Sequence, residues 1–340
     1  MPLRVFSCFG SAAQADYFMR YQALIWHRTP RNVAFLQEVR RYNPTITALM
    51  YRELFCVQRF ETELQETVGS WDWIDANHPE WFQLDLQGRR VEIPDYPGRW
   101  LMDWRNTEWR AFWIEKTLRD VQEGGWDGVF ADDALSSLQA HQLPPLQGYA
   151  TDQDLQAAVE SFLKAVTDAF HCQGKIVIAN LSNSYAYPDL WARWLSITDG
   201  LLEEHFNGES WNWGPAVAQQ QLLALQDARR QNKWMLCLTY GKWDDPEKME
   251  SSLALYLLGA GPRTLFSYRP YANADIPPWH AIWEQDFGQP LEDAQQLATG
   301  IWTRRFQYAT VIVNTTLVDT ALEVAGRAVP LKAQRGRVVR

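Results

Sequence analysis

Acidic side chains follow three short apolar segments of this 340-residue chain. They are Asp103, Asp132, Asp133, Glu203 and Glu204. A continuous apolar segment is typical of a strand that is buried on both faces of a parallel sheet, and acids at the carboxyl ends of such strands meet on one rim. Two carboxylates that face each other across a cleft can cleave a glycosidic bond, because one attacks the sugar or activates water while the other protonates the leaving oxygen.

The same acids have other uses, which the sequence leaves open. An Asp after a strand often caps a helix or a turn, so Asp132 or Asp133 could serve only as a cap, and Asp103 could cap the helix behind it. Clustered carboxylates also bind hard cations, but such sites need several oxygen ligands, and the six His residues are scattered without a close pair. We therefore expect neither a metal nor another cofactor.

Tryptophan content and net charge narrow the class of ligand. The chain has 18 Trp, against 15 Phe and 13 Tyr, and its formal net charge is −9. Indole faces stack on the apolar faces of sugars, although we expect more than half of these rings to fill the core. Nucleic acids and anionic membranes need clustered Lys and Arg. We therefore expect a neutral or cationic ligand, with an oligo- or polysaccharide as the partner and neither nucleic acid nor membrane.

The cysteines and the start of the chain bear on its compartment. Cys8, Cys56, Cys172 and Cys237 lack the spacing of a zinc site or a disulfide framework, although two of them could pair in an oxidising compartment. Residues 1–6 lack the basic and apolar regions of a signal peptide, and no apolar run approaches the ~18 residues that span a bilayer. We expect a cytoplasmic protein if the sequence is complete, and a secreted one if a signal peptide was removed.

Eight apolar segments alternate with helical segments and predict an α/β fold. The predicted strands are Ala23–Trp26, Thr45–Tyr51, Arg99–Met102, Gly124–Asp133, Lys175–Asn180, Gly200–Glu204, Trp234–Thr239 and Thr264–Ser267. The predicted helices are Pro30–Arg41, Thr107–Glu123, Asp152–His171, Tyr187–Leu195, Ala216–Gln231 and Pro246–Leu258. Eight strands with helices behind them is the count of a (β/α)8 TIM barrel. An open doubly wound sheet would give similar local patterns, but residues 26–30 do not resemble the Gly-rich phosphate loop that follows its first strand.

Two regions depart from this alternation. An aromatic insertion at about residues 52–98 is expected to form part of the substrate cleft, because a long connection in a compact domain is usually functional. Near the end of the chain, segments such as Ala309–Asn314 indicate a small antiparallel β appendage, and the basic end, Arg335–Arg340, is expected to be solvated or frayed. The predicted organisation is a barrel over residues 1–300 and a β-rich segment over 301–340.

One motif resembles a known superfamily. The segment Gly125–Asp132, GWDGVFAD, is similar to the fourth-strand signature of α-galactosidase-type and endo-dextranase-like barrel glycosidases, G-[FW]-D-G-x-x-x-D, whose final Asp is the nucleophile. Over about residues 20–315 the chain most resembles glycoside hydrolase families of that superfamily that are known mainly from their sequences, in which Trp100–Asp103 also has a counterpart. The acid/base of the superfamily ends the sixth strand in a D-x-x-x-x-E context, which Asp199–Glu204 matches.

The resemblance implies a retaining glycoside hydrolase with Asp132 as nucleophile and Glu204 as general acid/base. The doubled acids leave the register open by one residue, because strand parity does not decide where both faces are buried. Asp133 and Glu203 therefore stay candidates for the same places. The alternative is a carbohydrate-binding barrel without turnover, since a fold does not fix a function.

Polar and aromatic groups near the predicted strand ends are expected to bind the sugar. They are Trp26, Tyr51, Arg52, Asp103, Asp133, Asn180, Glu203, His205 and Tyr240. Glu204 has apolar and aromatic neighbours, whereas Asp132 has Asp133 beside it. Because apolar surroundings disfavour a charged carboxyl, we expect Glu204 to hold the proton and Asp132 to stay ionised.

Overall fold

The computed structural model describes residues 3–8, 14–60, 66–181, 184–208, 214–270 and 279–340. The first ten strands are β1 (Phe6–Cys8), β2 (Ala23–His27), β3 (Thr47–Glu53), β4 (Cys56–Gln58), β5 (Arg99–Leu101), β6 (Gly128–Asp132), β7 (Ile176–Asn180), β8 (Gly200–Glu203), β9 (Trp234–Tyr240) and β10 (Thr264–Arg269). All of these except β4 and β5 form one parallel sheet of eight strands. Val5 bridges to Phe266 of β10, which brings the last strand back beside the first. The sheet is thus a nearly closed (β/α)8 TIM barrel, and the predicted fold class is confirmed.

Helices follow the barrel strands and begin at sequence signals for a helix start. Among the described residues they are α1 (Pro30–Tyr42), α2 (Trp71–Asn77), α3 (Thr107–Glu123), α4 (Asp152–His171), α5 (Pro188–Ile197), α6 (Pro215–Arg230) and α7 (Pro246–Gly259). Thr29 caps α1 by accepting from the backbone N–H of Asn32, and Thr151 and Asp154 form a capping box on α4. Proline, which has no N–H to leave unpaired, occupies the first turn of α1, α5, α6 and α7.

The barrel strands separate two apolar layers. On β3, Leu49 and Tyr51 belong to the cluster inside the barrel, whereas Ala48 and Met50 pack on the side of the helices. The fully buried tryptophans belong to the outer layer: Trp26, Trp104, Trp109, Trp113, Trp126, Trp191 and Trp194. Because successive side chains of a strand point to opposite faces, this alternation decides which strand-end residues reach the mouth of the barrel.

Two strand predictions were wrong, although the count of eight was right. Arg99–Leu101 is not a barrel strand, since it pairs antiparallel with Cys56–Gln58 in the insertion. The missing barrel strand is Phe6–Cys8, which pairs parallel with β2. Consequently β3, and not the segment ending in Asp103, is the neighbour of β6. The prediction counted Arg99–Leu101 before β6 and omitted Phe6–Cys8, so the two errors cancel in the count. β6 and β8 therefore remain the fourth and sixth strands of the barrel.

The insertion lies against the carboxyl ends of β3 and β6. The backbone N–H of Leu54 donates to the carbonyl of Asp132 at 3.1 Å, and the N–H of Met102 donates to the carbonyl of Phe55 at 3.0 Å. From the other side, the indole N–H of Trp113 donates to the carbonyl of Glu53 at 2.9 Å. These bonds place the insertion next to the acids at the strand ends.

The end of the chain forms antiparallel sheets. The strands β11 (Gln295–Ala298), β12 (Ile301–Arg305), β13 (Thr310–Asn314) and β16 (Arg335–Val339) form one sheet, and β14 (Thr320–Val324) pairs with β15 (Arg327–Leu331). Of the solvated or frayed basic end that we expected, fraying was wrong, because β16 pairs with β13 and packs on α7, whereas Arg337 and Arg340 are exposed to solvent. The N–H of Gly336 donates to Ser251 Oγ at 3.0 Å, where a Cβ would lie 2.7 Å from the side chain of Ala254. None of the helices described combines the length and apolar character needed to cross a bilayer.

Candidate active site

Asp132, Asn180 and Glu204 meet at the mouth of the barrel. Asp132 ends β6, Asn180 ends β7, and Glu204 follows β8 directly. The Nδ2 atom of Asn180 lies 2.8 Å from Asp132 Oδ1 and 2.8 Å from Glu204 Oε2, so one amide donates to both carboxylates. The two oxygens are therefore no farther apart than twice 2.8 Å, about 5.6 Å. Three neighbouring strands thus bring two acids face to face around one amide.

Two tyrosine hydroxyls contact the other oxygens of the same acids. Tyr51 Oη, from β3, lies 2.6 Å from Asp132 Oδ2. The hydroxyl of Tyr240, at the end of β9, donates to Glu204 Oε1 at 2.9 Å. With Asn180, each acid is thus hydrogen-bonded at both of its oxygens. Both carboxyl groups are held in fixed orientations, as a reacting pair requires.

Asp132 does not have the charge state that we expected from its sequence context. Burial, followed by the charges of Asp133 and Glu204, raises the pKa of Asp132 to about 8, against the opposing hydrogen bonds of Tyr51 and Asn180. The expectation that Asp132 stays ionised at neutral pH was therefore wrong for the free enzyme. The physical reason is first that Asp132 is removed from water, and then that the neighbouring charges of Asp133 and Glu204 repel a charge on Asp132.

Asp133 lies beside Asp132 but has its own partner. Its φ of 54° places the backbone in the left-handed region immediately after β6. His141 Nε2 lies 3.6 Å from Asp133 Oδ1, and His141 Nδ1 lies 3.7 Å from Asp95 Oδ2 in the insertion. Burial lowers the pKa of His141, but the hydrogen bond and charge of Asp133 outweigh it, so the pKa is raised. Asp133 and His141 together connect the barrel to the insertion beside the acid pair.

A second group of charged residues, which the sequence analysis missed, lies behind Tyr51. Its members are Glu53, Glu66, Arg99 and His27. Tyr51 Oη is 2.7 Å from Glu53 Oε1, and Arg99 contacts Glu53 and also lies 2.6 Å from Glu66 Oε2. The parity of β3 could have indicated Glu53, because Glu53 lies two residues after the inward-facing Tyr51. Nothing in the sequence indicates Arg99 or Glu66, whose places depend on how the insertion folds.

Three predicted binding residues face away from the mouth, and those assignments were wrong. Trp26 is 1% exposed and packs among the helices, with its ring 5.0 Å from that of Phe18. Arg52 forms a buried ion pair with Asp120 at 2.8 Å. Glu203 accepts from the backbone N–H of Ser184 at 3.0 Å on the outer side of the barrel. In each case the side chain belongs to the outward-facing parity of its strand.

Asp103 also lies outside the acid group. It contacts Arg105 at 3.0 Å and the hydroxyl of Tyr149 at 3.3 Å. It does not cap α3 either, since Asn106 accepts from the first backbone N–H groups of that helix. His205, by contrast, stays beside the site, with its ring 5.5 Å from that of Tyr240. Of the residues predicted to surround the acids, the structure therefore gathers Tyr51, Asp133, Asn180, His205 and Tyr240.

Two groups among the described residues have the spacing of a metal site. One consists of His78, Glu80 and Glu108 on the surface, and the other of Glu53, Asp132 and Asp133, with ligand atoms within 4.8 Å of one another. In the second group Tyr51, Asn180 and Arg99 already contact both oxygens of Asp132 and Oε1 of Glu53. These donors suit a hydrogen-bonded pair of acids that exchange protons, and the expectation of a metal-free site stays a prediction.

The fold is similar to those of solved carbohydrate-active enzymes. A glucose-bound dextranase from Flavobacterium johnsoniae has a TM-score of 0.58 at 12% identity, with 100% of this chain and 50% of the dextranase chain covered. A trehalose-6-phosphate hydrolase from Bacillus licheniformis has a TM-score of 0.54 at 11% identity, with 98% of each chain covered. The match to a cycloisomaltooligosaccharide glucanotransferase from Paenibacillus has a TM-score of 0.49 at 13% identity and covers 70% of this chain and 38% of that enzyme. The chain thus spans half or less of the glucanotransferase and the dextranase, and identities this low show the fold alone.

Sequence comparison identifies the family. No curated protein matches the chain. The family model for hypothetical glycosyl hydrolase family 15 matches residues 40–310, which is most of the chain and includes Asp132, Asn180 and Glu204. The chain therefore belongs to hypothetical glycosyl hydrolase family 15.

Proposed function

We propose that this enzyme hydrolyses an oligo- or polysaccharide with retention of anomeric configuration, with Asp132 as nucleophile and Glu204 as general acid/base. The observation that carries the proposal is the Asn180 amide, 2.8 Å from an oxygen of each acid. Retaining enzymes have carboxyl groups about 5–5.5 Å apart, whereas inverting enzymes need about 6.5–9.5 Å to admit a water. The limit of about 5.6 Å between the bridged oxygens supports the retaining arrangement.

In the first step Asp132 attacks the anomeric carbon. As the bond to Asp132 forms, the bond to the leaving oxygen breaks, and the proton of Glu204 passes to that oxygen. Tyr240 and Asn180 both donate to Glu204, so they stabilise the carboxylate that Glu204 becomes. The products of this step are a glycosyl ester on Asp132 and a neutral alcohol.

In the second step water replaces the alcohol. The Glu204 carboxylate accepts a proton from the water while the water oxygen attacks the anomeric carbon, and the ester bond to Asp132 breaks. Asn180 donates to Asp132, and the Tyr51 hydroxyl lies at hydrogen-bond distance, so both favour the released carboxylate. One water is consumed, and both acids return to their starting protonation. The reaction needs no metal and no other cofactor.

The reactive form of the pair has Asp132 ionised and Glu204 protonated. The charges of Asp133 and Glu204 oppose ionisation of Asp132, whose pKa is raised to about 8 mainly by burial. The reactive form holds one proton between the two acids, so the rate should fall on the acidic side when the pair takes up a second proton, and this limb belongs to the pair and not to Asp132 alone. At higher pH the rate should fall again when the pair loses its remaining proton.

Side chains around the pair supply a shell for the sugar. Asp133, His205 and Tyr240 surround the acids from the barrel, and Tyr96 and His141 lie beside them, with ring centres 5.0 Å apart. Carboxylates accept from sugar hydroxyls, and aromatic rings stack on the apolar faces of sugars. The site therefore combines the two kinds of contact that bind a glycan.

A glycan panel tests the proposal. Purified wild-type protein is incubated with α- and β-linked oligo- and polysaccharides, dextran among them, and released reducing ends are measured. Proton NMR of the first product from the best substrate then gives its anomeric configuration. Retention together with loss of turnover in Asp132→Asn and Glu204→Gln supports the proposal.

The matched control is Glu203→Gln, because Glu203 neighbours Glu204 in the chain but faces the outer layer of the barrel. This variant should keep turnover. Loss of turnover in Glu203→Gln but not in Glu204→Gln would reverse the assignment, and an inverted first product would contradict the double displacement. Glycan binding without any released reducing ends would favour a binding protein over an enzyme.

A further inference from the structure

The hydroxyl of Tyr51 lies between two carboxyl groups. Tyr51 Oη is 2.6 Å from Asp132 Oδ2 and 2.7 Å from Glu53 Oε1, and both distances are typical of O–H···O hydrogen bonds. A phenol has a single hydrogen, so Tyr51 can donate in only one of these contacts. In the other contact the carboxyl group must carry a proton and donate to the tyrosine oxygen. Either Glu53 or Asp132 is therefore protonated on the side of Tyr51.

Glu53 is enclosed by groups from several elements. Glu53 is only 1% exposed to solvent. The titratable and charged groups that act on it are Tyr51 on β3, Cys56 on β4, Tyr96 in the insertion, Arg99 on β5, and Asp132 and Asp133 at the end of β6. Among the groups named, Arg99 is the one permanent cation and the two aspartates repel a charge on Glu53. The balance between Arg99 and these acids decides which carboxyl holds the proton.

The charge of Arg99 is shared with a second acid. Arg99 lies 2.6 Å from Glu66 Oε2, and His27 lies 3.1 Å from the other oxygen of Glu66. Burial raises the pKa of Glu66, but the contacts with His27 and Arg99 outweigh it and lower that pKa. One guanidinium thus faces the carboxyl groups of both Glu53 and Glu66, and its single charge can balance only one of them.

Glu53 is therefore suited to be the protonated acid. Burial, then the charges of Asp133 and Asp132, raise the pKa of Glu53 well above its usual value. Among the described residues Glu53 Oε2 also has no hydrogen-bond partner, which a neutral carboxyl tolerates better than a buried carboxylate does. If Oε1 carries the proton, it can donate to Tyr51 and still accept from Arg99.

We propose that Glu53 is a positioning residue: it acts as a neutral acid that donates to the Tyr51 oxygen and so commits the Tyr51 hydrogen to Asp132. This inference rests on the proposed function, in which Asp132 attacks as an anion. Two hydrogen bonds that run in one direction polarise each other, so the bond from Tyr51 to Asp132 is strengthened. Glu53 thus favours the ionised, correctly oriented nucleophile without touching the substrate.

Two substitutions of Glu53 separate a neutral donor from an anion. Glu53→Gln keeps the shape and offers an N–H donor to Tyr51, but its nitrogen cannot accept from Arg99 as Oε1 does, whereas Glu53→Met has similar length and no donor. The Met variant should lower kcat by about ten- to a hundredfold, the range for losing one hydrogen bond to a charged group, with KM within about threefold. Its acidic limb should move to higher pH, since Asp132 loses stabilisation of its charged form. The Gln variant should keep most of the wild-type kcat, and its acidic limb should lie at the wild-type pH.

Tyr51→Phe shows whether Glu53 acts through Tyr51. This substitution removes the hydroxyl itself, so it should resemble Glu53→Met. The double variant should then be little worse than either single variant, because both remove the same chain of hydrogen bonds. Additive losses would overturn the proposal. So would an acidic limb that moves to lower pH in Glu53→Gln, because that shift is expected when a negative charge beside Asp132 is removed.

A measurement without substrate keeps this proposal separate from the enzymatic one. Carbon-13 NMR of the free protein, with the Asp132 signal assigned from Asp132→Asn, gives the ionisation of Asp132 directly. In Glu53→Gln, Asp132 should titrate at the same pH as in the wild type. In Glu53→Met and Tyr51→Phe, Asp132 should titrate at higher pH. If this order holds but the wild type cleaves no glycan, the proposed function fails and the role of Glu53 stands. If Glu53→Met does not fold, the other two variants still decide. Titration of Asp132 at lower pH in Glu53→Gln, or at the wild-type pH in Tyr51→Phe, would overturn the proposed role of Glu53.

Discussion

Replacement of Asn180 by leucine tests the bridge between the two acids. Leucine is similar in size to asparagine but has no donor, so neither Asp132 Oδ1 nor Glu204 Oε2 would keep its 2.8 Å hydrogen bond. During the reaction one of these bonds goes to a charged carboxylate, worth about 1.5–3 kcal/mol, and the other to a neutral acid, worth about 1 kcal/mol. At 1.4 kcal/mol for each factor of ten, kcat/KM should fall by about 60- to 700-fold.

The direction in which the pH profile of Asn180→Leu shifts can also be predicted. The hydrogen bond from Asn180 lowers the pKa of Asp132, so its removal raises that pKa further above the usual carboxyl range. The acidic limb of kcat/KM should therefore move to higher pH. The assay is kcat/KM between about pH 5 and 9 on the best substrate of the panel, where the limb reports ionisation of the free enzyme.

Asn43→Leu is the matched control for Asn180. The buried amide of Asn43, at the end of α1, donates at 2.8 Å to the carbonyl of Tyr21, which precedes β2 at the amino end of the barrel. Its loss should lower the free energy of unfolding and leave kcat/KM and the pH profile at wild-type values. The bridge would be refuted if folded Asn180→Leu kept kcat/KM within about threefold, or if its acidic limb moved to lower pH.

Three further predictions concern the acid pair and the core behind it. Glu204→Gln should slow substrates with poor leaving groups far more than activated aryl glycosides, because an activated group departs without protonation; equal losses on both would contradict the role of acid. Asp132→Asn should raise Tm, and by more at pH 8 than at pH 5. The pKa of Asp132 is about 8 in the folded protein and about 3.9 in the unfolded chain, so the wild-type protein loses stability as the pH rises from about 4 towards 8, and the variant does not. We expect a gain of about 1–2 kcal/mol in the free energy of unfolding at pH 8, a figure discounted for the partial exposure of Asp132. Thermal scans at both pH values measure the gain, and an equal gain at pH 5 and pH 8 would contradict the raised pKa. Asp120→Asn should lower the free energy of unfolding by about 3–5 kcal/mol with unchanged KM, as measured by urea titration, because it breaks the buried ion pair with Arg52.

Local patterns were sufficient to predict most of the barrel. The apolar run of Gly128–Asp132 lies between helices with clear start signals, and such a run has few alternatives to a buried parallel strand. Arg99–Leu101 has the same local pattern but pairs antiparallel with Cys56–Gln58, and pairing between distant segments is not visible in a short window. Phe6–Cys8 was missed because a strand of three residues carries too little periodicity.

The site was predicted where the register was right and lost where it slipped by one residue. Trp26 and Arg52 were expected at the site, but His27 and Glu53, one position later on the same strands, are the residues that lie behind Asp132. A slip of one residue on a strand reverses the face. Arg99 reaches the site from the insertion, whose folding depends on contacts distant in the sequence.

Trapping of the glycosyl-enzyme tests the identity of the nucleophile most directly. A 2-deoxy-2-fluoro glycosyl fluoride of the sugar found in the panel forms the ester with Asp132 and slows its hydrolysis, because fluorine destabilises the positively charged transition state. Mass spectrometry of the intact protein should show one added sugar, and fragmentation of the peptide should place it on Asp132. A sugar on Asp133 or Glu204, or turnover of the natural substrate without any covalent adduct, would contradict Asp132 as the nucleophile.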